Sequence, residues 1–405
     1  MSRQAYAVFS EGTIARMKIK NRLVRSATYE AAMTEDGRTT DTMLALYKDL
    51  AEGGVGMIIT GLMAVLPQGK GNARQTAIYA DRFIPEIAKI ADVVHQYGKG
   101  CKIVAQLGHA GRQLLQWPLK HENISAEAVG PSAVPSPLLE AQARALSLEE
   151  VQQVIQAFVD AIVRVQKAGY DGVQLHAAHG YLLSSFLSPY TNRRTDQYGG
   201  SIPNRVRIVR EILAQARMKV GDFPILIKIN CDDFVKGGIS LESFPEQARE
   251  VERTGVDAIE VSGGMWDCLV RSEEELGFYP TPLPEARTRI NKLEKQSYFL
   301  KYVENLRLSV PILLVGGNRN IERMESILHE GHVSFFSLCR PLINEPGLPQ
   351  RWLEGRGKET TDCVSCNACL ATIQKDSIAC YLKKSKLRQV VVKSAAPLMW
   401  KKFFR

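Results

Sequence analysis

The sequence predicts an α/β fold: a (β/α)8 TIM barrel with a short Cys-rich, basic C-terminal extension. Eight short apolar runs alternate with segments of helical periodicity over about 340–350 residues, a length within the range of that fold. A doubly wound parallel sheet is the alternative, and it is weakened because no G-x-G-x-x-G sequence follows the first run. We therefore predict a barrel domain at 1–355 and an extension at 356–405.

The predicted strands are nearly continuous in Val, Ile and Leu rather than alternating, which is typical of parallel strands covered on both faces. They lie at 23–28, 55–61, 102–107, 172–176, 224–229, 256–261, 310–316 and 333–338.

The predicted helices lie between these runs, at 42–51, 83–97, 148–168, 203–220, 241–253, 295–306 and 321–329. Ser147 followed by Glu150 is typical of a capping box that opens the third helix. Pro203 suits the first turn of the fourth helix, where its missing N–H is not needed. The irregular stretch 108–146 follows the third strand, so a barrel would place it over the catalytic mouth.

The composition indicates a globular protein of the cell interior. Of the 405 residues, 45% are hydrophobic and 23% are charged. No apolar run reaches the roughly 18–20 residues that span a bilayer, and the N-terminus lacks the apolar core of a signal peptide. We expect a cytoplasmic protein without a transmembrane segment.

The net charge of +9 is concentrated at one end of the chain. Residues 381–405 carry eight basic side chains and no acidic ones. Because the rest of the chain is nearly neutral, we expect no nucleic-acid-binding face. The aromatic residues of this tail (Trp400, Phe403 and Phe404) are expected to dock on the barrel or on a second subunit.

The carboxyl ends of the predicted strands carry the polar side chains, and these ends form the active site in barrel enzymes. His176, His179 and Tyr181 lie at the end of the fourth strand. They favour a clamp for a polar substrate over a metal site, since no carboxylate lies nearby in sequence to complete a ligand set. The other strand ends contribute Ser26, Ala27, Thr28, Tyr29, Gly61, Gln106, Lys228, Ser262, Gly263, Gly316, Gly317, Asn318, Cys339 and Arg340.

The last strand ends predict a phosphate site. Gly316 and Gly317 let backbone N–H groups approach an anion, and Arg340 can pair with it. A single glycine pair is more often a tight turn, so the prediction depends on the combination. Lys228, a cation within the fifth strand, needs an anionic ligand or a salt bridge, for which Asp232 and Asp233 are the candidates.

Four motifs give the chain a specific resemblance to the Old Yellow Enzyme family of FMN-dependent oxidoreductases, over about residues 8–350. They are Asn-Arg-Leu-Val at 21–24, Gln-Leu-Gly-His-Ala-Gly-Arg at 106–112, His-Ala-Ala-His-Gly-Tyr-Leu at 176–182 and Asn-Arg-Arg-Thr-Asp-Gln-Tyr-Gly-Gly-Ser at 192–201.

The resemblance implies FMN at the barrel mouth. It places Lys228 beside N1 and O2 of the flavin, where a cation stabilises the negative charge of the reduced ring. It assigns the flavin ring to Ser26, Ala27 and Thr28, its pyrimidine edge to Gly61 and Gln106, and its phosphate to Gly317, Asn318, Cys339 and Arg340.

The resemblance also implies a reaction: NADH or NADPH reduces the flavin, and the flavin reduces the C=C bond of a small α,β-unsaturated carbonyl compound. His176 and His179 match the residues that hold the carbonyl oxygen, and Tyr181 matches the proton donor. The chain departs from the family at Tyr29, where Thr, Cys or His is usual near flavin N5, and at Cys339, where a smaller residue is usual.

Four cysteines follow the barrel in a C-x2-C-x2-C-x10-C pattern: Cys363, Cys366, Cys369 and Cys380. Such spacing is typical of an iron–sulfur cluster or zinc. The segment resembles the 4Fe-4S loop of 2,4-dienoyl-CoA reductase and trimethylamine dehydrogenase, but its third cysteine comes one residue earlier. Three interpretations stay open: 4Fe-4S, zinc and metal-free thiols.

Three functions follow from these observations. The first is an NAD(P)H-driven ene-reductase, expected to form a homo-oligomer. The second is a flavin dehydrogenase or demethylase that exchanges electrons with an external carrier through a 4Fe-4S cluster, because the chain shows no further domain to serve the cluster. The third is a non-catalytic flavin- or metal-binding protein. The histidine pair favours the first, since a carbonyl oxygen needs hydrogen-bond donors.

Overall fold

Eight parallel strands close into a barrel in the computed structural model, which describes residues 6–114, 127–137, 142–281, 283–373 and 376–384. Each strand pairs with the next along the chain, and the last pairs with the first, so the predicted barrel is confirmed. The strands are β1 (Leu23–Arg25), β2 (Met57–Ile59), β3 (Lys102–Gly108), β4 (Gly172–Ala177), β5 (Ile225–Asn230), β6 (Ala258–Ser262), β7 (Ile312–Leu314) and β8 (Phe335–Leu338).

The barrel interior is apolar at the end where the strands begin. Side chains such as Val24, Val104 and Leu226 pack there with residues of a hairpin formed by Gly12–Ile14 and Met17–Ile19. Because apolar side chains fill this end, the buried polar groups of the interior lie toward the carboxyl ends of the strands, where the sequence predicts the site.

Helices surround the strands, and all except the short helix Glu273–Leu276 bury apolar side chains. They are α1 (Asp41–Glu52), α2 (Ile84–Tyr97), α3 (Leu148–Lys167), α4 (Leu182–Leu187), α5 (Ile202–Val220), α6 (Phe244–Glu252), α7 (Glu273–Leu276), α8 (Ile321–His329), α9 (Arg340–Asn344) and α10 (Leu348–Leu353).

The predicted helix starts are confirmed at α3 and α5. The N–H of Glu150 donates to Ser147 Oγ over 3.1 Å, and the Glu150 carboxylate accepts from Ser147 N–H over 2.7 Å, so both bonds of the capping box form. In α5, Ser201 caps the helix and Pro203 lies in the first turn.

The helix predicted at 295–306 is wrong. This stretch forms only two 3-10 turns, Leu293–Lys295 and Leu300–Tyr302, within a long connection between β6 and β7. Side chains of this connection, including Tyr298 and Phe299, pack against the glycines at the strand ends. That packing requires an irregular path, which outweighs the helical periodicity of the segment.

The described part of the extension packs directly on the barrel. Thr361 N–H donates to Arg319 O over 2.9 Å, beside an antiparallel bridge between Asn320 and Thr360. Further along, Ile378 N–H donates to Glu30 O over 2.8 Å, which joins the extension to the first strand–helix connection. The aromatic residues of the basic tail lie outside the described residues.

Among the helices of the described ranges, none is both long enough and apolar enough to cross a membrane.

Candidate functional site

The end of β4 brings His176, His179 and Tyr181 together. The backbone turns sharply after the strand, because His179 (φ +63°) and Gly180 (φ +79°) both adopt left-handed conformations. The His176 ring lies 5.1 Å from the His179 ring and 4.8 Å from the Tyr181 ring, centroid to centroid. The sequence prediction that these three side chains meet at one strand end therefore agrees with the structure.

The hydrogen bonds of the two histidines leave donors available. Ala178 N–H donates to His176 Nδ1 over 3.4 Å, so Nε2 is the nitrogen of a neutral His176 ring that carries the proton. His179 Nε2 lies 2.8 Å from Ser262 Oγ, and the His179 N–H donates to Asn230 Oδ1 over 3.0 Å. Asn230 of β5 thus holds the His179 backbone, and Ser262 of β6 holds the His179 ring.

Burial keeps both histidines neutral. It lowers the pKa of His176 and of His179 well below the usual value, and the positive charge of Lys228 lowers the pKa of both further. Burial also raises the pKa of Tyr181, with a smaller contribution from the Glu285 carboxylate. At neutral pH the three groups are hydrogen-bond donors and carry no charge.

Lys228 pairs with Glu260, so the predicted salt bridge to Asp232 or Asp233 is wrong. Lys228 Nζ lies 3.1 Å from Glu260 Oε2 and donates to Ser26 Oγ over 3.1 Å. The two charged residues are direct register partners on β5 and β6. Asp233 instead accepts from Asn230, and Asp232 accepts from Tyr302.

Glu260 also anchors a chain of amides that reaches Gln106. Its Oε2 accepts from Gln174 Nε2 over 2.8 Å, and Gln174 Oε1 accepts from Gln106 Nε2 over 2.8 Å. Ser26 Oγ donates to Glu260 Oε1 over 2.8 Å. All four side chains are buried. Sequence reasoning missed Glu260 and Gln174, because each lies within an apolar strand and not at its end.

A cleft with a volume of about 90 Å³ opens beside this network. The ends of β7 and β8 form one wall with Gly316, Gly317, Asn318, Cys339 and Arg340, as predicted. Thr28 and Ser262 also line the cleft. The lining residues that sequence reasoning missed include Glu285, Tyr298, Arg319, Ser337, Asn367 and Ile378.

Unpartnered polar atoms point to a ligand in this cleft. Ser337 Oγ, Arg319 Nε and Asn367 Nδ2 are buried and have no hydrogen-bond partner among the described residues. Arg340 Nη1 donates to Arg287 O, Ser365 O and Asn367 Oδ1. With two arginines, a serine hydroxyl and two glycines, the donors of this wall suit a phosphate group.

The glycines at the strand ends are required by close packing. A Cβ atom at Gly316 would lie 2.6 Å from the Phe299 ring, and one at Gly317 would lie 2.8 Å from the Tyr298 ring. Both glycines also have positive φ, at +106° and +78°. A Cβ at Gly263 would lie 2.8 Å from the Phe299 ring.

The first strand end contributes fewer free groups than the resemblance implied. Thr28 Oγ1 lies 3.1 Å from Cys339 Sγ, and Ala27 is only partly buried. Gly61 N–H donates to Glu30 Oε1 over 2.7 Å, so a buried carboxylate that sequence reasoning missed already occupies this donor. The Tyr29 hydroxyl is buried without a partner among the described residues, and burial raises its pKa.

The four cysteines of the extension line a second, adjoining cavity of about 20 Å³. Arg340, Asn367 and Cys369 lie in the walls of both cavities. Ser365 and Asn367 have positive φ, so the chain turns sharply between the cysteines. Yet no group of three or more His, Cys, Asp or Glu side chains in the described ranges is arranged to hold a metal ion. The predicted cluster or zinc site therefore stays a prediction.

Comparisons with known proteins agree with the barrel and its motifs. The model of the NADH:flavin oxidoreductase / NADH oxidase family matches residues 8–359. An NADH oxidase of Thermoanaerobacter brockii is 37% identical over 364 residues, which are 89% of this chain and 52% of the relative. An NADPH dehydrogenase of Geobacillus sp. (strain WCH70) is 31% identical over 345 residues, which are 84% of this chain and 92% of the relative.

A solved structure of 2-naphthoyl-CoA reductase with 2-naphthoyl-CoA superposes with a TM-score of 0.82 and 26% identity, over 92% of this chain and 56% of that protein. The chain thus spans about half the length of this reductase and of the NADH oxidase.

Proposed function

The chain belongs to the NADH:flavin oxidoreductase / NADH oxidase family, and on that premise we propose that it is an ene-reductase of α,β-unsaturated carbonyl compounds. NADH or NADPH is the reductant, and a small enone or a related flavone-like or dienoyl compound is the substrate. The observation that carries the proposal is the pair of neutral, buried histidines beside Tyr181 at the end of β4.

His176 is suited to bind the carbonyl oxygen of the substrate. Its Nδ1 accepts from Ala178 N–H, so its Nε2–H is free to donate. We propose His179, whose Nε2 lies 2.8 Å from Ser262 Oγ, as the second residue that binds this oxygen. Hydrogen bonds that strengthen as the oxygen gains negative charge lower the barrier to reaction at the conjugated C=C bond.

Tyr181 is suited to deliver a proton to the α-carbon. Its ring lies against His176, and burial raises its pKa, so the phenol is protonated at neutral pH. The donor therefore stands beside the group that holds the carbonyl, as protonation of the α-carbon requires.

The residues of the cleft fit FMN. Arg340, Arg319 Nε, Ser337 Oγ and the N–H groups around Gly317 line the cleft and would hold its phosphate. Thr28 of the cleft wall would face its ring, and by the resemblance the ring would extend toward Ser26, Gln106 and Lys228, which lie outside the cleft lining. When bound there, FMN supplies the hydride chemistry that no side chain can supply.

The proposal is tested by following FMN absorbance under anaerobic conditions. The FMN-loaded protein is first treated with NADH or NADPH, and 2-cyclohexenone is then added. We expect the flavin band near 450 nm to bleach with at least one nucleotide and to return with the enone, with cyclohexanone as the product.

Two results would contradict the proposal. Protein that retains no FMN after reconstitution would remove the cofactor assignment. Flavin that bleaches but is never reoxidised by cyclic or aromatic enones would remove the substrate class while leaving the family assignment intact.

The second candidate function is electron exchange with an external carrier through a 4Fe-4S cluster, as in a flavin dehydrogenase or demethylase. The favouring observation is that Cys363, Cys366, Cys369 and Cys380 line one cavity that shares Arg340 with the cleft. Iron and sulfide analysis of anaerobically purified protein tests it. About four irons per chain, lost in a Cys366→Ser variant, would support a cluster, while one zinc or no metal would exclude it.

A further inference from the structure

We propose that Glu260 is a positioning residue for the buried groups below the cleft, here called the cleft floor (Ser26, Gln106, Gln174, Lys228 and Glu260). It sets their net charge and the direction of their hydrogen bonds, and thereby lowers the reduction potential of the bound flavin. The inference rests on the proposed function, because it assumes FMN in the cleft. No role for this carboxylate was expected from the sequence.

Glu260 faces the barrel interior just below the cleft. It is fully buried on β6, two residues before Ser262, so the two side chains point to the same face of the strand. Ser262 lines the cleft, and Ser26, which donates to Glu260, lies two residues before another lining residue, Thr28. The carboxylate therefore lies just below residues that line the cleft.

The first consequence concerns charge. The Lys228 ammonium alone, beside the ring as the resemblance implies, would add a full positive charge and would favour the anionic, reduced form. Glu260 Oε2 lies 3.1 Å from Lys228 Nζ and makes the floor neutral overall. The pair thus disfavours the reduced form relative to an unpaired lysine, and a flavin of lower potential is a stronger hydride donor.

The second consequence concerns hydrogen-bond polarity. A carboxylate only accepts, so Gln174 must turn its NH2 toward Glu260 and its oxygen toward Gln106. Gln106 then donates one N–H of its amide to Gln174, which leaves its Oε1 as an acceptor. Because the Glu260 carboxylate cannot donate, it fixes the orientations of both amides. An acceptor at Gln106 suits a ring edge that offers an N–H, as the flavin pyrimidine does.

The test is the midpoint potential of bound FMN in the Glu260→Gln variant, measured by anaerobic dye equilibration. We expect the potential to become more positive, with affinity for reduced FMN rising about tenfold relative to oxidised FMN. That ratio corresponds to about 30 mV for a two-electron couple. Asp257→Asn is the matched control, because Asp257 is a carboxylate paired with Arg217 at the opposite end of the same strand. It should leave the potential unchanged.

A paired variant covers the case in which Glu260→Gln does not fold with its lysine unpaired. Lys228→Met/Glu260→Gln removes both charges, as is often tolerated for buried ion pairs. We expect its potential to lie close to that of the wild type, and that of Lys228→Met alone to lie lower.

The outcomes separate this inference from the proposed function. A Glu260→Gln enzyme that binds FMN but has the wild-type potential would overturn the role of Glu260 and leave the reductase intact. A paired variant whose potential moves as far from the wild type as that of Lys228→Met alone would overturn it equally. Wild-type protein that binds no FMN would overturn the proposed function itself.

Discussion

At the scale of single residues, the neutrality of the buried histidines has a measurable effect on stability. Burial lowers the pKa of His109 to about 4 and lowers the pKa of His176 and His179 well below the value of about 6.5 expected in the unfolded chain. Between the folded and unfolded values the unfolded chain binds more protons, so the free energy of unfolding falls as the pH falls below about 6.5.

We predict that in His179→Asn the free energy of unfolding falls less steeply as the pH falls. The slope changes by up to about 1.4 kcal/mol per pH unit, as one titrating group allows. Denaturant unfolding between pH 5 and 7.5 measures it. His95 is the contrasting control, because its hydrogen bond to Asp171 raises its pKa and its stabilisation is lost as the pH rises. In His95→Gln the free energy of unfolding should fall more steeply as the pH falls. Equal slopes in all three proteins would contradict the assigned pKa directions.

Substitution of Tyr181 should slow the reoxidation of the flavin by the enone but not its reduction by NAD(P)H. Because Tyr181 is the proposed proton donor to the substrate, Tyr181→Phe should slow flavin reoxidation by the enone about 10²-fold or more. Flavin reduction by NAD(P)H should stay within about twofold of the wild-type rate. Stopped-flow absorbance separates the two steps, and an equal effect on both would assign Tyr181 to FMN or nucleotide binding instead.

The residues of the site differ in how far the sequence could predict them. His176, His179 and Tyr181 follow one strand within six positions, so the chain itself places them together. The partner of Lys228 could not be read in this way. Glu260 lies 32 positions further on, and only the register of β5 against β6 brings the two side chains together. The nearer carboxylates, Asp232 and Asp233, are used elsewhere.

At the scale of elements, the start of α3 depends on local hydrogen bonds that the sequence predicts well. Ser147→Ala removes the acceptor of Glu150 N–H and should cost about 1 kcal/mol. Thermal unfolding measures the loss. Glu149→Ala, in the same turn but outside the capping box, should have a smaller effect. If the two variants are equally destabilised, the box contributes nothing beyond the charge of the helix start.

The connection after β6 shows where sequence patterns fail. Its helical periodicity at 295–306 is real, but Tyr298 and Phe299 must reach the positive-φ glycines at the end of β7. Tertiary packing therefore sets the path of the chain, and no local signal reports it. The strands and the other six predicted helices have no such competing contact, and they form where expected.

This packing makes Gly317 sensitive to substitution. In Gly317→Ala the new Cβ meets the Tyr298 ring at 2.8 Å with φ at +78°, so the cleft wall must shift. We predict that FMN affinity falls at least tenfold, as measured by fluorescence titration. Gly347→Ala is the control, since a Cβ there meets nothing within 4 Å. Unchanged affinity in Gly317→Ala would show that this wall does not contact the cofactor.

At the scale of the whole molecule, Arg340 links the barrel to the extension. Its guanidinium lines the cleft at the end of β8 and donates to Ser365 O and Asn367 Oδ1 in the cysteine segment. Sequence reasoning placed Arg340 at a phosphate but treated the extension as separate. The contact between them joins parts of the chain 25 or more positions apart, and no periodicity predicts it.

Arg340→Ala should therefore loosen the extension as well as weaken FMN binding. We expect faster amide hydrogen exchange at 363–370 in Arg340→Ala than in the wild type, measured by mass spectrometry. Lys358→Ala, which replaces a side chain that is 80% exposed, should leave this exchange unchanged. Exchange rates equal to the wild type in Arg340→Ala would mean that the extension docks independently of the cleft.

The central claim is that a neutral histidine pair binds the carbonyl of the substrate while the cleft holds FMN. The most direct measurement is stopped-flow kinetics of the two half-reactions in His176→Ala/His179→Ala. We expect NAD(P)H to reduce the flavin at close to the wild-type rate and reoxidation by 2-cyclohexenone to slow by about 10²-fold or more, as loss of oxyanion donors does elsewhere. An unchanged rate of reoxidation by the enone would contradict the central claim.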